Sequence, residues 1–306
     1  MQDNIVEIRG IGKAIADIQI LDNIFLEVKS KECLGIIGEN GSGKTTLLRI
    51  LTGLVSPTSG EVSVFGHNPK TNPEKALFDL RALIGIPAFY SAISAYDNLR
   101  LFANNPNGNV NEKIMAALKE VGLQDEKNKK VGVYSRGMLQ RLGIAHTLFE
   151  DPALYVFDEP TQGVDEVWVN RLIEIIKAKL DKGKTFIITS HNFEFISELC
   201  GRVLILDHGK AIYQGKLKEV AEYPYYYILR GGPEEKILKT LESLDYVHKI
   251  LKTPSAFELT MPKTNSSELI KTLVENGCQI EECAYRQYST SDLVQHLQTT
   301  LKGDLA

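Results

Sequence analysis

The chain has 306 residues, 43% of them hydrophobic and 24% charged, an ordinary globular composition that favours two domains over one. Its 35 basic and 39 acidic side chains leave a net charge of -4, which argues against nucleic-acid binding through a broadly basic surface. No apolar run approaches the ~18 residues that span a bilayer, and "MQDNIVEIRG" lacks a signal-peptide pattern, so a soluble chain is expected.

Short, continuous apolar runs at 33–38 ("CLGIIG"), 153–158 ("ALYVFD"), 185–190 ("TFIITS") and 202–207 ("RVLILD") suit strands buried on both faces of a mostly parallel sheet. Helical spacing lies between them at about 44–52, 94–104, 111–121, 136–149, 165–182 and 192–200, an α/β pattern. Near residue 222 the texture changes. "YYYILRGG", "PEEKILKTLESL", "YVHKILKT", "AFELTMP", "NSSELIKTLVENG" and "QIEECAYRQ" read as β-α-β-β-α-β, the ferredoxin-like order, and "TSDLVQHLQTTLKG" as a last helix. The boundary is expected near Tyr223–Pro224, giving domains 1–222 and 223–306. Cys33, Cys200, Cys278 and Cys283 have no C-x-x-C spacing and read as reduced thiols, which points to a reducing compartment.

The strongest chemical signal is "GENGSGKTT" (38–46), between a strand and a helix. Gly38, Gly43, Lys44 and Thr45 fit the phosphate-loop spacing, with Glu39, Asn40, Gly41, Ser42 and Thr46 completing the segment. The glycines let backbone N–H groups converge on a triphosphate, Lys44 supplies a cation, and the Thr45 hydroxyl suits Mg2+. "ALYVFDEP" brings two acids to a strand end: Asp158 for the metal and Glu159 as general base toward the attacking water. His191 follows another strand end, within reach of the γ-phosphate or the water. "VYSRGMLQR" (133–141) opens a helix whose free N–H groups suit an anion, and nothing in the residues themselves says which anion arrives there.

In this order the motifs resemble the ATP-binding subunits of ABC transporters over about residues 4–222: Walker A at "GENGSGKTT", the signature at "YSRGMLQR", Walker B at "LYVFDE", a D-loop at "QGVDE" (162–166) and the switch histidine at His191. The resemblance implies an Mg2+-dependent ATPase in which two such domains pack head to tail, as a homodimer. Ser135 and Gly137 of one subunit would then meet the γ-phosphate of ATP on the other, and Asp165 would shape the facing site. It also implies a separate integral membrane permease, a place on the inner, cytoplasmic face of the membrane, and no nucleic-acid partner. The C-terminal segment resembles the tail of drug- and antibiotic-exporter ATPases.

Two family features are missing. The aromatic that stacks on adenine aligns with Ile15, and residues 9–23 contain no aromatic, which leaves the base to apolar contact. The Q-loop after "RALIGI" is short, and residues 84–96 contain no Gln, Glu, Asp or Asn, so slow hydrolysis is expected. Arg136 and Met138 depart from the commonest signature, and Arg136 is expected to face solvent. Two alternatives stay open: a soluble ABC-type ATPase acting on the ribosome or DNA, and a slow nucleotide-sensing regulator. Against the first, the chain has one ATPase domain and no long heptad insertion between Lys44 and Ser135.

Overall fold

The computed structural model describes residues 4–103, 109–220, 225–261 and 265–287. Within it the chain forms two compact units, one through Gly215 and one beginning at Lys216. The expected boundary at Tyr223–Pro224 and the expected helix at 290–303 lie outside the described residues.

The first unit opens with β1 (Asn4–Ile15), β2 (Ile18–Lys29), β3 (Cys33–Ile37), α1 (Lys44–Leu51) and β4 (Ser59–Val64). It continues with α2 (Pro73–Ala76), β5 (Leu80–Leu83), α3 (Ala95–Leu101), α4 (Val110–Glu120), α5 (Arg136–Leu148) and β6 (Leu154–Asp158). Then follow α6 (Glu166–Asp181), β7 (Thr185–Ser190), α7 (Phe193–Ser197), β8 (Arg202–Asp207) and β9 (Lys210–Lys216). A six-stranded sheet runs β5-β6-β7-β3-β8-β9, and the pairs β5–β6, β6–β7, β7–β3 and β3–β8 are parallel, as the buried apolar runs led us to expect. Strands β3, β6 and β7 are buried along their whole length.

A second sheet, β2-β1-β4, is antiparallel. Helix α1 lies in one apolar core with both sheets: its Leu47, Leu48, Ile50 and Leu51 cluster with Ile8, Leu26 and Val64 on one side and Leu34, Val156 and Leu204 on the other. Burying a Leu or Ile stabilises by about 1.5–3 kcal/mol relative to leaving it exposed. This packing therefore anchors the helix that follows the phosphate loop.

The second unit holds α8 (Leu217–Val220), β10 (Tyr225–Gly232), α9 (Glu234–Glu242), β11 (Lys249–Lys252), β12 (Phe257–Thr260), α10 (Ser266–Glu275) and β13 (Gln279–Gln287). Its antiparallel sheet runs β11-β12-β10-β13, the order expected of a split βαβ. Ile237 and Leu241 of α9 and Leu269 and Leu273 of α10, each spaced by four, bury one stripe against Tyr227, Leu229, Phe257 and Leu259.

"RALIGI" stays extended only as far as Leu83, because Gly85 takes a positive φ of 70° and turns the chain ahead of Pro87.

Candidate functional site

Parallel register decides where the chemistry meets. Ile37 pairs with Ser190 and Asp158 with Thr189, so Gly38, Glu159 and His191 leave three neighbouring strands at one edge of the sheet.

The loop after β3 forms a cradle only glycine can build. A Cβ on Gly38 would lie 2.4 Å from the Leu206 carbonyl oxygen and 2.4 Å from Ser42 Oγ. Gly41 and Gly43 have φ of 86° and 106°. Ser42 Oγ is buried with no hydrogen-bond partner, as expected of a hydroxyl placed for an external acceptor such as a phosphate oxygen. Lys44, at the first position of α1, is buried, and its Nζ donates to the Gly38 carbonyl (2.6 Å) and the Glu39 carbonyl (3.0 Å). Glu39 and Asn40 are exposed at the loop's outer side, and Thr46 is half-buried on α1.

Both acids are held from β7. Thr189 Oγ1 donates to Asp158 Oδ1 at 2.7 Å, and Thr45 Oγ1 donates to Asp158 Oδ2 at 2.8 Å. The Glu159 N–H bonds the Thr189 carbonyl (3.1 Å) and Thr189 Oγ1 (3.0 Å). That grip holds Glu159 at a φ of 46°, a left-handed conformation that is strained for a glutamate. Its side chain is clamped from two sides. Oε1 lies 3.3 Å from Lys44 Nζ, an ion pair without an aligned hydrogen bond. Oε2 accepts from His191 Nδ1 at 2.8 Å and from the His191 N–H at 3.3 Å. The Nδ1–H tautomer this requires leaves Nε2 as an acceptor when the ring is neutral.

Beside these groups is a cleft of about 300 Å³ whose walls include Asn40, Thr45, Asp158, Glu159, Arg136 and Gln140. Gly85, Ile86 and Pro87, from the segment after β5, line it as well.

The sequence comparisons agree with this geometry. Residues 21–162 match the family model for ABC transporters. The ABC transporter ATP-binding protein YdbJ of Bacillus subtilis is 33% identical over 90% of this chain and 89% of its own length. The chain belongs to the ABC transporter ATP-binding proteins.

The bacitracin transport ATP-binding protein BcrA of Bacillus licheniformis is 34% identical to this ABC ATPase, covering 94% of the chain and 95% of the relative. A Nod factor export ATP-binding protein of Cupriavidus metallidurans is 33% identical over 71% of the chain and 73% of its own length. Among solved structures, an ATP-binding subunit of an ABC transporter superposes with a TM-score of 0.66 at 24% identity, covering 71% of the chain and 92% of that structure.

Of the signature of this ABC ATPase, Arg136, Leu139 and Gln140 line the chain's own cleft, whereas Ser135 and Gly137 do not. Ser135 caps α5, accepting from the Met138 N–H at 3.2 Å, and is exposed. A Cβ on Gly137 would lie 3.4 Å from the Gly163 carbonyl oxygen, so signature and D-loop abut. Asp165 caps α6, accepting from the Trp168 N–H at 2.8 Å.

Arg136 is exposed, as expected. Its Nη2 donates to Gln162 Oε1 at 3.0 Å, across Gly163. A cation at a helix N-terminus opposes the dipole, and this acceptor gives it a fixed place. Sequence reading also missed Thr189 and Gln140, whose Nε2 donates to the Pro160 carbonyl at 3.3 Å. The available signal was a polar residue inside an otherwise apolar strand or buried helix face.

Proposed function

We propose that this chain is the ATP-hydrolysing subunit of an exporter, driving a separate membrane permease. The observation that carries the reading is the convergence of Lys44, Asp158, Glu159 and His191 at one sheet edge above a glycine-only cradle. The bacitracin-transport and Nod-factor-export names of its relatives favour export over a role on the ribosome or DNA.

On this reading, ATP phosphates take the N–H groups of 38–46 and draw Lys44 Nζ from its present acceptors. Thr45 Oγ1 and Asp158 form an all-oxygen pair suited to a hard cation, and bound Mg2+ would neutralise charge on the β- and γ-phosphates. Glu159, released from Lys44, takes the proton of the attacking water. His191 orients Glu159 through Nδ1 and leaves Nε2 for the γ-phosphate side.

Ser135, Gly137 and Asp165 act on the nucleotide of a second copy packed head to tail. The exposure of Ser135 and Asp165, and the absence of all three from the chain's own cleft wall, support that role. Residues 1–222 are the ATP-binding domain and 223–306 an accessory α+β domain, which fits a bacitracin-transport relative aligned over 94% of this chain.

The permease would seat in a groove of about 720 Å³ beside the 84–96 segment, with Phe78, Phe102 and His146 in its wall and Phe78 81% exposed. No helix among the described residues is long and apolar enough to cross a membrane, so the site on the inner face would be held through that partner.

Light scattering of Glu159→Gln with and without Mg-ATP tests the dimer: an ATP-dependent doubling of mass, lost on Ser135→Arg, is expected. A monomer that binds ATP under both conditions would refute the homodimer. Co-purification with ribosomes or DNA in place of a hydrophobic membrane protein would refute export.

A further inference from the structure

Two of the four cysteines meet inside the first unit. Cys33 opens β3, Cys200 follows the turn after α7, 167 residues further on, and their Sγ atoms lie 3.1 Å apart. Both are free thiols, 6% and 4% exposed. The backbone holds them from both sides. Leu34, next to Cys33, pairs with Arg202 at the start of β8, and the Cys200 N–H donates to the Ile196 carbonyl at 2.8 Å. A Cβ on Gly35 would lie 2.5 Å from Ile196 Cγ2 and 3.4 Å from Cys200 Sγ, so a glycine in the strand lets α7 and Cys200 sit this close.

The two sulfurs are too close to share a metal ion, because two thiolate–metal bonds of about 2.3 Å hold their sulfurs further apart than this. Nor does any group of three His, Cys, Asp or Glu suited to a metal ion occur among the described residues. A covalent bond asks for less: about 1 Å of approach brings the contact to the ~2.05 Å of a disulfide.

We infer that Cys33 and Cys200 are an oxidisable pair, closed by hydrogen peroxide into a disulfide that staples β3 to the end of α7 and stabilises the first unit. Peroxide is small enough for so shielded a site, whereas a disulfide the size of oxidised glutathione is not. Burial, with the hydrogen bond and charge of Cys33 adding to it, pushes the Cys200 thiol up, which leaves Cys33 to attack first. Its thiolate takes one peroxide oxygen as a sulfenic acid, and the other leaves as water. Cys200 sulfur then attacks that sulfenic sulfur, and the second oxygen leaves as water with the last thiol proton. Two thiols and one peroxide become one disulfide and two waters. At ~3.3 Å per residue, Cys33 is roughly 16 Å along β3 from Gly38, so the staple forms away from the cradle. Linking residues so far apart in sequence restricts the unfolded chain, and longer loops gain more.

The test treats the full-length chain with hydrogen peroxide, alkylates the remaining thiols under denaturation, and maps unreduced peptides by mass spectrometry. A Cys33–Cys200 linked peptide is expected, with Tm raised by about 5 °C or more. Dithiothreitol should reverse the link and the shift. Cys33→Ala and Cys200→Ala should each abolish both, while Cys283→Ala should abolish neither. ATP turnover of the linked chain should match that of equally treated Cys33→Ala. Recovery of Cys33 and Cys200 as alkylated thiols or as sulfinic acids would overturn the inference. So would a link that leaves Tm unchanged or lower, or that costs turnover.

Discussion

Lys44 Nζ lies 3.3 Å from Glu159 Oε1, so the phosphate-binding cation and the candidate general base are paired with each other. Both side chains are largely shielded from water, and the pair is therefore screened less than a surface one. A triphosphate entering the cradle competes for Lys44, and its arrival frees the carboxylate for chemistry. Glu159→Gln is expected to lower ATP turnover by about 10²–10⁴ while leaving the dissociation constant equal or tighter, because the competitor for Lys44 is gone. Turnover and calorimetry on the same sample check it, and loss of binding would contradict it.

His191 holds Glu159 Oε2 through both its ring Nδ1 and its backbone N–H. We expect His191→Ala to reduce kcat by about 10²-fold with KM nearly unchanged. A rise in KM at constant kcat would assign the ring to ground-state binding.

The Arg136–Gln162 hydrogen bond ties the signature to the D-loop within one chain. Arg136→Ala and Gln162→Ala are expected to lower kcat by similar factors. The double variant should be no worse than the poorer single one, a coupling of about 0.5–1 kcal/mol. Additive losses would mean that the two side chains act separately.

Asp151 gives a pH signature away from the site. Burial pushes its carboxyl up, but hydrogen bonds from Lys179 and Lys184, reinforced by their charges, outweigh it and hold the pKa at about 2. A depressed carboxylate stabilises the fold above its unfolded value near 3.9, and that stability is lost as pH falls toward the folded value. Asp151→Asn should therefore lower Tm above about pH 4, with the difference narrowing as pH falls toward 2. The pair is half exposed on the Asp151 side, so the effect stays below about 1 kcal/mol. A difference independent of pH would contradict this.

Restoring a glutamine-bearing Q-loop between Leu83 and Pro87 should raise ATPase activity by about tenfold or more, by returning a polar group to the wall now made of Gly85, Ile86 and Pro87. Unchanged turnover in a folded variant would mean that the short loop does not limit hydrolysis.

The parallel strands were legible because burial on both faces leaves unbroken apolar runs such as "TFIITS", and the cradle because its glycines are sterically required. Strands β1 and β2 were not read. β1 carries Gly10 at a φ of 62°, and register shifts around Ile8, Ile11 and Lys13 break the alternation that periodicity depends on. Thr189 escaped notice because its hydroxyl sits in an apolar run and its partners Asp158 and Glu159 belong to a different strand and loop. The acceptor of Arg136 escaped notice for a similar reason: it is 26 residues away along the chain.

The fit of α5 against the short loop has a mechanical consequence. A Cβ at Gly143 would lie 2.7 Å from Pro87 Cγ and 2.8 Å from Leu83 Cδ1, so the seam has no clearance even for a methyl group. Close-packed parts do not absorb displacement; they pass it on. A push on the 84–94 surface would swing α5 as a lever, with Ser135 at its far end, and a longer loop would put a spring where this chain has a rod.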